Sequence, residues 1–388
     1  MTRLALKPSA LLSPSDDGYL VYDVNARRLH RLNAAARLVI ELCDGSRDLD
    51  QIRALLLPLV LFNDADWDRC RSWIGRAVRD GWLAPVDSVS PASSLSAAEL
   101  AALAGTLLDR DEVLAAFICQ ERAAELAPED DRVWYDLGEL AHIVGRRDDA
   151  RAAYERYFER HPDDAEVEHV LIALGDATPP KRVSDRCIVQ LYSRFAAFYD
   201  ENMSDDLEYR APALLGEALT AALGDRRRLD ILDLGCGTGL SGGVLRARAR
   251  RLIGVDLSPA MVERARARAV YDAVHVAEIT AFLEADGHGP IDLIAACDAL
   301  IYFGDLRQVI VPAAAHLAPD GVVAFTVERG DIYPFRLTDA GRFTHHRDHL
   351  IEVAAAANLA VVVLDEAILR YEYGNPVHGL VAVFGRRS

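Results

Sequence analysis

The pattern of apolar and polar positions changes character twice along the chain. Gly18 to Val24 is rich in Tyr, Leu and Val, Asn25-Ala26-Arg27 can turn, and Arg28 to Leu32 can return as a second strand. This predicts a hairpin. Asn33 predicts the N-cap of a helix that runs to Cys43 and stops near Gly45. Asp48 with Gln51 three residues on predicts a capped second helix. Trp67, Cys70, Ile74 and Ala77/Val78 recur at helical spacing and predict a third, ended by Gly81. Strands followed by three short helices read as a winged-helix-like module over residues 1–88.

From Leu100 onward the pattern is helical and repeats itself. Leu100/Trp134, Leu103/Leu137, Ala116/Ala150 and Pro128/Pro162 share a 34-residue offset, which is tetratricopeptide (TPR) spacing. The second copy, with Trp134, Leu137-Gly138, Ala150, Tyr154 and Pro162, resembles the TPR consensus. The first departs from it at Ala104 and Gln120, and a partial third spans Ala165 to Gly175. Residues 95–178 are therefore expected to form a short α-helical TPR segment, its seams closed by the small Gly138 and Ala150. The joints on either side are the Pro- and Ser-rich Ala84 to Ser96 and Thr178-Pro179-Pro180-Lys181.

Residues 185–388 alternate short apolar runs with helical stretches: Leu229 to Leu234, Leu252 to Val255, Val274 to Val276, Ile291 to Ala295, Val322 to Val327, Leu359 to Leu364 and Leu380 to Phe384. Such alternation predicts an α/β, Rossmann-like domain, a seven-stranded parallel sheet covered by helices on both faces.

Composition narrows the function classes. With 388 residues, 51% apolar and 27% charged, the chain suits two or three globular domains. No apolar run approaches the roughly 18 residues of a membrane span, and the first residues lack a secretory signal, so a soluble, cytoplasmic protein without a membrane partner is expected. The net charge of -17 falls mainly in the middle block, and the first is neutral; without a basic stripe, nucleic acid is not an expected partner. The six cysteines form no CxxC pair and no cluster at metal-ligand spacing, so no metal is expected.

Ligands of such a sheet bind beyond the carboxyl ends of the strands. The first strand runs into Asp233-Leu234-Gly235-Cys236-Gly237-Thr238-Gly239, and Asp256 ends the second. Glycines let backbone approach a ligand, and an acid at the end of the second strand suits a ribose diol. Nicotinamide fingerprints read GxGxxG, whereas the order acid-Leu-GxGxG resembles class I S-adenosylmethionine (SAM) dependent methyltransferases. By position, that resemblance implies that Asp233 and Gly235, Cys236, Gly237 and Gly239 hold the methionine portion, Asp256 the ribose, and Leu257 and Met261 the adenine face. Glu278 and Ile279 would meet the adenine edge, and Cys297-Asp298 would border the methyl-transfer cleft. A helix cap is the alternative for Asp256, although Ser258-Pro259 already supplies one, and a solvated helix-start carboxylate is the alternative for Glu278. Cys236 reads as a space filler. The Tyr192 to Asp200 and Tyr209 to Pro212 stretches resemble the cover segment over SAM, bringing Tyr199 and Arg210 to the cofactor; helix core is the alternative.

The stretch from Tyr192 onward, with Asp256 to Met261, Leu300 to Leu306 and Gly374 to Gly379, resembles TPR-containing methyltransferases. The first block, with Leu32-Asn33 and the helix ending Leu42-Cys43-Asp44-Gly45, resembles PqqD-like domains, the recognition elements of ribosomally made, modified peptides. That resemblance implies capture of a leader peptide as an added strand at Leu29, His30 and Arg31 and against Arg69, Trp73 and Arg76. A purely structural winged helix is the alternative.

The motif after the fourth strand lacks an Asn-Pro-Pro-Tyr type of grip on a planar nitrogen, which favours oxygen acceptors. Tyr302, Glu328 and His345 are the candidate bases, should the acceptor need one. Arg342, Arg370 and His378 could anchor an anion but read more naturally as solvated surface. The expected function is methylation of a precursor peptide, SAM becoming S-adenosylhomocysteine, with other biosynthetic enzymes as further partners. A small-molecule O-methyltransferase with partner-binding front modules, a non-catalytic SAM-binding scaffold and a winged-helix DNA regulator are the alternatives.

Overall fold

The computed structural model describes residues 2–16, 18–57, 64–88, 95–175, 178–203, 207–285, 289–372 and 374–386. Part of the expected first joint, residues 89–94, lies outside them. Two compact units divide the chain, Met1–Arg160 and His161–Ser388.

In the first unit, β1 (Arg3–Leu6), β2 (Ala10–Ser15), β3 (Gly18–Asp23) and β4 (Arg28–Asn33) are followed by α1 (Ala34–Leu42), β5 (Asp44–Asp48), α2 (Leu49–Leu56), α3 (Asp64–Arg79) and β6 (Leu83–Pro85). The predicted hairpin is β3–β4, with Asp23 Oδ1 accepting from the amides of Asn25 and Ala26 across the turn. The Asn33 cap accepts from the Ala36 amide, and Asp48 and Gln51 make a reciprocal capping box. Two features were not anticipated: β2 adds a third strand to the hairpin, and β1 pairs with both β5 and β6 in a second small sheet. The strands of that sheet are short and broken by polar residues, so no period-2 run announces them. Val21, Val39, Ile40, Ile52, Leu56, Trp67, Ile74 and Ala77 form the core beneath.

Helices α4 (Ala97–Leu108), α5 (Val113–Leu126), α6 (Asp131–Ile143) and α7 (Arg147–Phe158) complete the unit as two antiparallel pairs. Gly138 is what lets α6 approach α7, for a Cβ there would lie 2.8 Å from the Tyr154 ring. Helix α5 also packs on β2, and Arg146 donates to Ser13 Oγ at 2.8 Å. The two predicted front domains thus share one unit. The helix of the partial third repeat, α8 (Ala165–Leu174), falls in the second unit.

The second unit continues with α9 (Asp185–Phe195), α10 (Tyr199–Glu201), α11 (Ala211–Leu223), β7 (Leu229–Leu234), α12 (Gly242–Arg246), β8 (Ala249–Asp256), α13 (Pro259–Ala267), β9 (Ala273–Val276), α14 (Ile279–Glu284) and β10 (Ile291–Ala296). After these come α15 (Arg307–Ala315), β11 (Leu317–Arg329), β12 (Phe335–Leu337), β13 (Phe343–His345), α16 (Arg347–Ala356), β14 (Leu359–Glu372) and β15 (Asn375–Arg386). The sheet runs β14-β15-β11-β10-β7-β8-β9, with β13 and then β12 attached at the end of β11. The expected seven-stranded parallel sheet is therefore corrected to a nine-stranded mixed one: β15 runs antiparallel to both its neighbours. A β14–β15 hairpin needs no crossover helix, which is why the last strands depart from the alternation that predicts parallel pairing. Strand order reverses at β7, and the crevice beyond β7 and β10 is the expected ligand position.

Candidate cofactor and acceptor site

The turn after β7 is built from glycines that the geometry requires. Gly235 has φ +67°, and a Cβ there would lie 2.3 Å from that of Ala299; Gly239 has φ +90°. Beneath the turn, Asp233 is fully buried, its Oδ2 accepting from Ser241 Oγ and Tyr271 OH at 2.8 Å each. Burial pushes its carboxyl up to about 6, against the opposing pull of those two hydroxyls. Asp233 does not line the main cavity; it supports the turn from behind. Tyr271, its second anchor, comes 38 residues later and gave no local signal.

Above the turn lies a solvent-connected cavity of about 670 Å3, open solvent included. Gly235, Gly237, Asp256, Leu257, Met261, Glu278, Ile279, Cys297, Asp298 and Tyr302 all line it, as does Tyr199. Asp256 accepts the Gly237 amide at 2.8 Å and the Ser258 amide at 2.8 Å, so the end of β8 is tied to the glycine turn. Burial raises its carboxyl. Ser258 caps α13 independently, donors and caps both being present. Glu278 takes two roles at once. Its Oε2 caps α14 through the Ala281 amide, while its Oε1 is buried with no hydrogen-bond partner among the described residues.

A smaller adjoining cavity of about 270 Å3 is lined by Cys236, Thr238, Leu240, Ser241 and Tyr209 together with Tyr199 and Gly235. Thr238 donates to Asp200, which also pairs with Arg268, the residue that ends α13 as its C-cap, so the cover segment is fastened to the glycine turn. Arg210 of that segment is exposed and lines neither cavity; its amide donates to the Leu369 carbonyl at 2.8 Å.

The three candidate bases separate. Tyr302 lines the cavity and shares a 2.6 Å hydrogen bond with Tyr192 OH; burial raises both phenols. Glu328 does not line the cavity and is saturated by Arg342 at 2.7 Å and by Arg370. His345 is fully buried, its Nε2 facing the carbonyls of Phe303 and Gly304 at 2.9 and 3.0 Å, and burial lowers it to about 4. It too lies outside the lining. His378 is exposed. Arg370 is not solvated surface as expected: it is 4% exposed and bonded to Asp298, Glu328 and Glu372. Arg342 is drawn into the same cluster. Composition alone makes an arginine a surface residue; burial here follows from three carboxylates, Asp298 after β10, Glu328 on β11 and Glu372 on the same strand as Arg370, of which only Glu372 is near Arg370 in the chain.

The sequence reading also missed the wall formed by Arg182, Val183, Ile188 and Phe303. Arg182 makes an isolated bridge to Phe303, and the Val183 amide donates to the Tyr302 carbonyl. Among the described residues no group of three His, Cys, Asp or Glu is placed to hold a metal ion, and no helix is long and apolar enough to cross a membrane.

In the first unit, β4 is the edge strand of its sheet, with Leu29 38% exposed. Arg31, Arg69 and Arg76 are exposed, His30 and Trp73 half-buried, the His30 ring 4.2 Å from that of Trp82.

Residues 231–321 match the family model of the methyltransferase domain, and residues 131–174 match the tetratricopeptide repeat. The likeness to a methyltransferase domain falls within the second unit. It is 36% identical over 146 residues to methyltransferase-like protein 27 of Homo sapiens, covering 36% of this chain and 56% of that protein. It is 35% identical over 106 residues to a malonyl-[acyl-carrier protein] O-methyltransferase of Acetivibrio thermocellus, 27% of this chain and 37% of the other. With trans-aconitate 2-methyltransferase of Paracidovorax citrulli the identity is 33% over 142 residues, 36% and 50%. The chain thus spans about half the length of these relatives or less. Among solved structures, N-methyltransferase NodS of Bradyrhizobium japonicum in complex with S-adenosylhomocysteine aligns with TM-score 0.42 and 21% identity, over 52% of this chain and 99% of that one.

Proposed function

We propose that the second unit binds SAM and transfers its methyl group to a side-chain oxygen of a ribosomally made precursor peptide, whose leader is taken by the first unit. The observation that carries the cofactor half is the convergence of Gly235, Gly237, Asp256 and Glu278 on one cavity. The residues fit the group: a Cβ at Gly235 would close the cradle, and Glu278 Oε1 is a buried acceptor without a partner. Asp256 would receive the ribose hydroxyls, Leu257, Met261 and Ile279 the adenine faces, Glu278 its edge, and the turn and Cys236 the methionine portion.

SAM supplies a methyl carbon already activated on a sulfonium. What remains for the chain is to bind, align and dry the acceptor. Tyr192, Tyr199 and Tyr302 meet edge to face over 5.9 and 6.0 Å, an aromatic wall that excludes water and offers ring faces to a cation. The peptide half rests on the edge position of β4, whose outer main-chain groups suit strand addition. Leu29, His30, Arg31, Arg69, Trp73 and Arg76 are the residues we assign to leader recognition.

Tethering raises the effective acceptor concentration. Incubating the full chain with methyl-labelled SAM and peptides encoded beside its gene, with and without their leaders, is expected to label leader-bearing peptide far faster than core alone. Equal rates would remove the peptide half, and no S-adenosylhomocysteine from any acceptor would leave a SAM-binding scaffold.

A further inference from the structure

A group of five charged side chains sits behind the cavity, and the sequence reading had placed its arginines at the surface. Asp298 follows β10 in a left-handed conformation, φ +54°. Its amide donates to Thr326 Oγ1 at 2.8 Å, while its Oδ1 accepts from that hydroxyl at 3.1 Å and its Oδ2 from Arg370 Nη1 at 2.8 Å. Asp298 is the member of the group that lines the cavity. Arg370 in turn is held by Glu372 at 2.8 Å and by Glu328, and Arg342 bridges the same two glutamates at 2.7 Å.

Counting charges decides what the group can do. Three carboxylates, Asp298, Glu328 and Glu372, face two guanidiniums, Arg342 and Arg370. One negative charge is left over. Around the cavity itself the charged lining residues among those described are Asp256, Glu278, Asp298 and Arg182, and the Arg182 guanidinium already donates to Asp185. A carboxylate brought into this space meets like charge at short range in a poorly solvated wall, whereas a hydroxyl brings a proton that Asp298 can accept in a hydrogen bond.

We propose that Asp298 is the acceptor-side carboxylate of this site, set in place by Thr326 and Arg370, and that the acceptor oxygen is a proton-bearing hydroxyl rather than a carboxylate. The proposal rests on the SAM reading above. Arg370 is a positioning residue: it touches the cavity only through Asp298. Besides Arg370 and Thr326, the groups facing Asp298 are Glu328 of β11, Arg342 just before β13, Cys297 just after β10, Tyr199 of α10 and Tyr209 just before α11.

The test does not require the acceptor. S-adenosylhomocysteine and sinefungin, an analogue with a protonated amine where the sulfonium methyl stands, are titrated calorimetrically into the full-length protein. The ratio of their affinities reads the charge at the point of transfer, since losses common to both ligands cancel. Wild type is expected to favour sinefungin by about tenfold or more. Asp298→Asn and Asp298→Ser are expected to bring the ratio towards one with S-adenosylhomocysteine still bound, which also reports a folded site. Arg370→Lys, which keeps the charge but not the fork, should lower the ratio part of the way; a wild-type ratio there takes away its positioning role. A wild-type ratio near one, or a ratio unchanged in both Asp298 variants, overturns the proposal. Failure of wild type to bind S-adenosylhomocysteine instead brings down the cofactor reading, and this inference with it. A base-labile methyl ester in the isolated product would overturn the acceptor class.

Discussion

At Gly235, the left-handed φ and the 2.3 Å approach that a Cβ would make to Ala299 act together. Gly235→Ala is expected to abolish measurable S-adenosylhomocysteine binding while the first unit unfolds unchanged; calorimetry and thermal melts check both. His345 presents the opposite case, a histidine whose place at the end of β13 in a polar stretch suggested chemistry and whose surroundings give it a packing role. Its folded value of about 4 lies below the ordinary 6.5. Below about pH 6.5 the unfolded chain therefore binds a proton that the native state refuses, and stability falls as pH drops from there to about 4, by up to about 3 kcal/mol. Asp233 works against this, for its raised value of about 6 adds stability over part of the same range. Comparing wild type with His345→Gln cancels the Asp233 contribution: urea melts from pH 7 to 4 should show the flatter profile in the variant, and parallel profiles would contradict the assignment. The glycine turn, Asp256 and Glu278 were legible because each sits at the end of a strand that announces itself. Asp298 was legible as a position but not as a charge, because Arg370 reaches it from 72 residues away in the chain, and Glu328 joins the group through Arg370, 42 residues from that arginine.

At the scale of elements, caps and periodicity carried most of the prediction: Asn33, Asp48 with Gln51, and Gly138 against Tyr154 all do in space what their spacing implied. Gly138→Ala is expected to cost about 1–3 kcal/mol through overpacking against the Tyr154 ring, less whatever Ala returns in helix propensity. In a Tyr154→Leu background the same change should cost less, and a thermal-melt cycle that shows no coupling would contradict the contact. Elements of two kinds escaped the sequence. The strands β1, β5 and β6 are too short and too polar to show a period, and β12–β13 exist because a parallel partner, the end of β11, is already in place. The antiparallel β15 carries the same apolar run as a parallel strand, so direction is not written in its pattern.

For the molecule as a whole, the two units carry different parts of the account. The second supplies a cavity with a glycine-turn wall and the acidic lining residues Asp256, Glu278 and Asp298; the first supplies the edge strand β4, with a helical repeat packed on β2 at the other edge of the same sheet. Leu29→Asp together with Trp73→Ala is expected to weaken binding of leader peptide at least tenfold in fluorescence anisotropy and to leave S-adenosylhomocysteine affinity unchanged, since neither residue lines the cavity. The claim on which all else depends is cofactor binding, and calorimetric titration of S-adenosylhomocysteine into wild type and Asp256→Ala tests it most directly. Saturable binding at one site, weakened about 10- to 100-fold in the variant by loss of a charge-assisted hydrogen bond, is the predicted result. Absence of binding to wild type, or equal affinity in the two proteins, would contradict it.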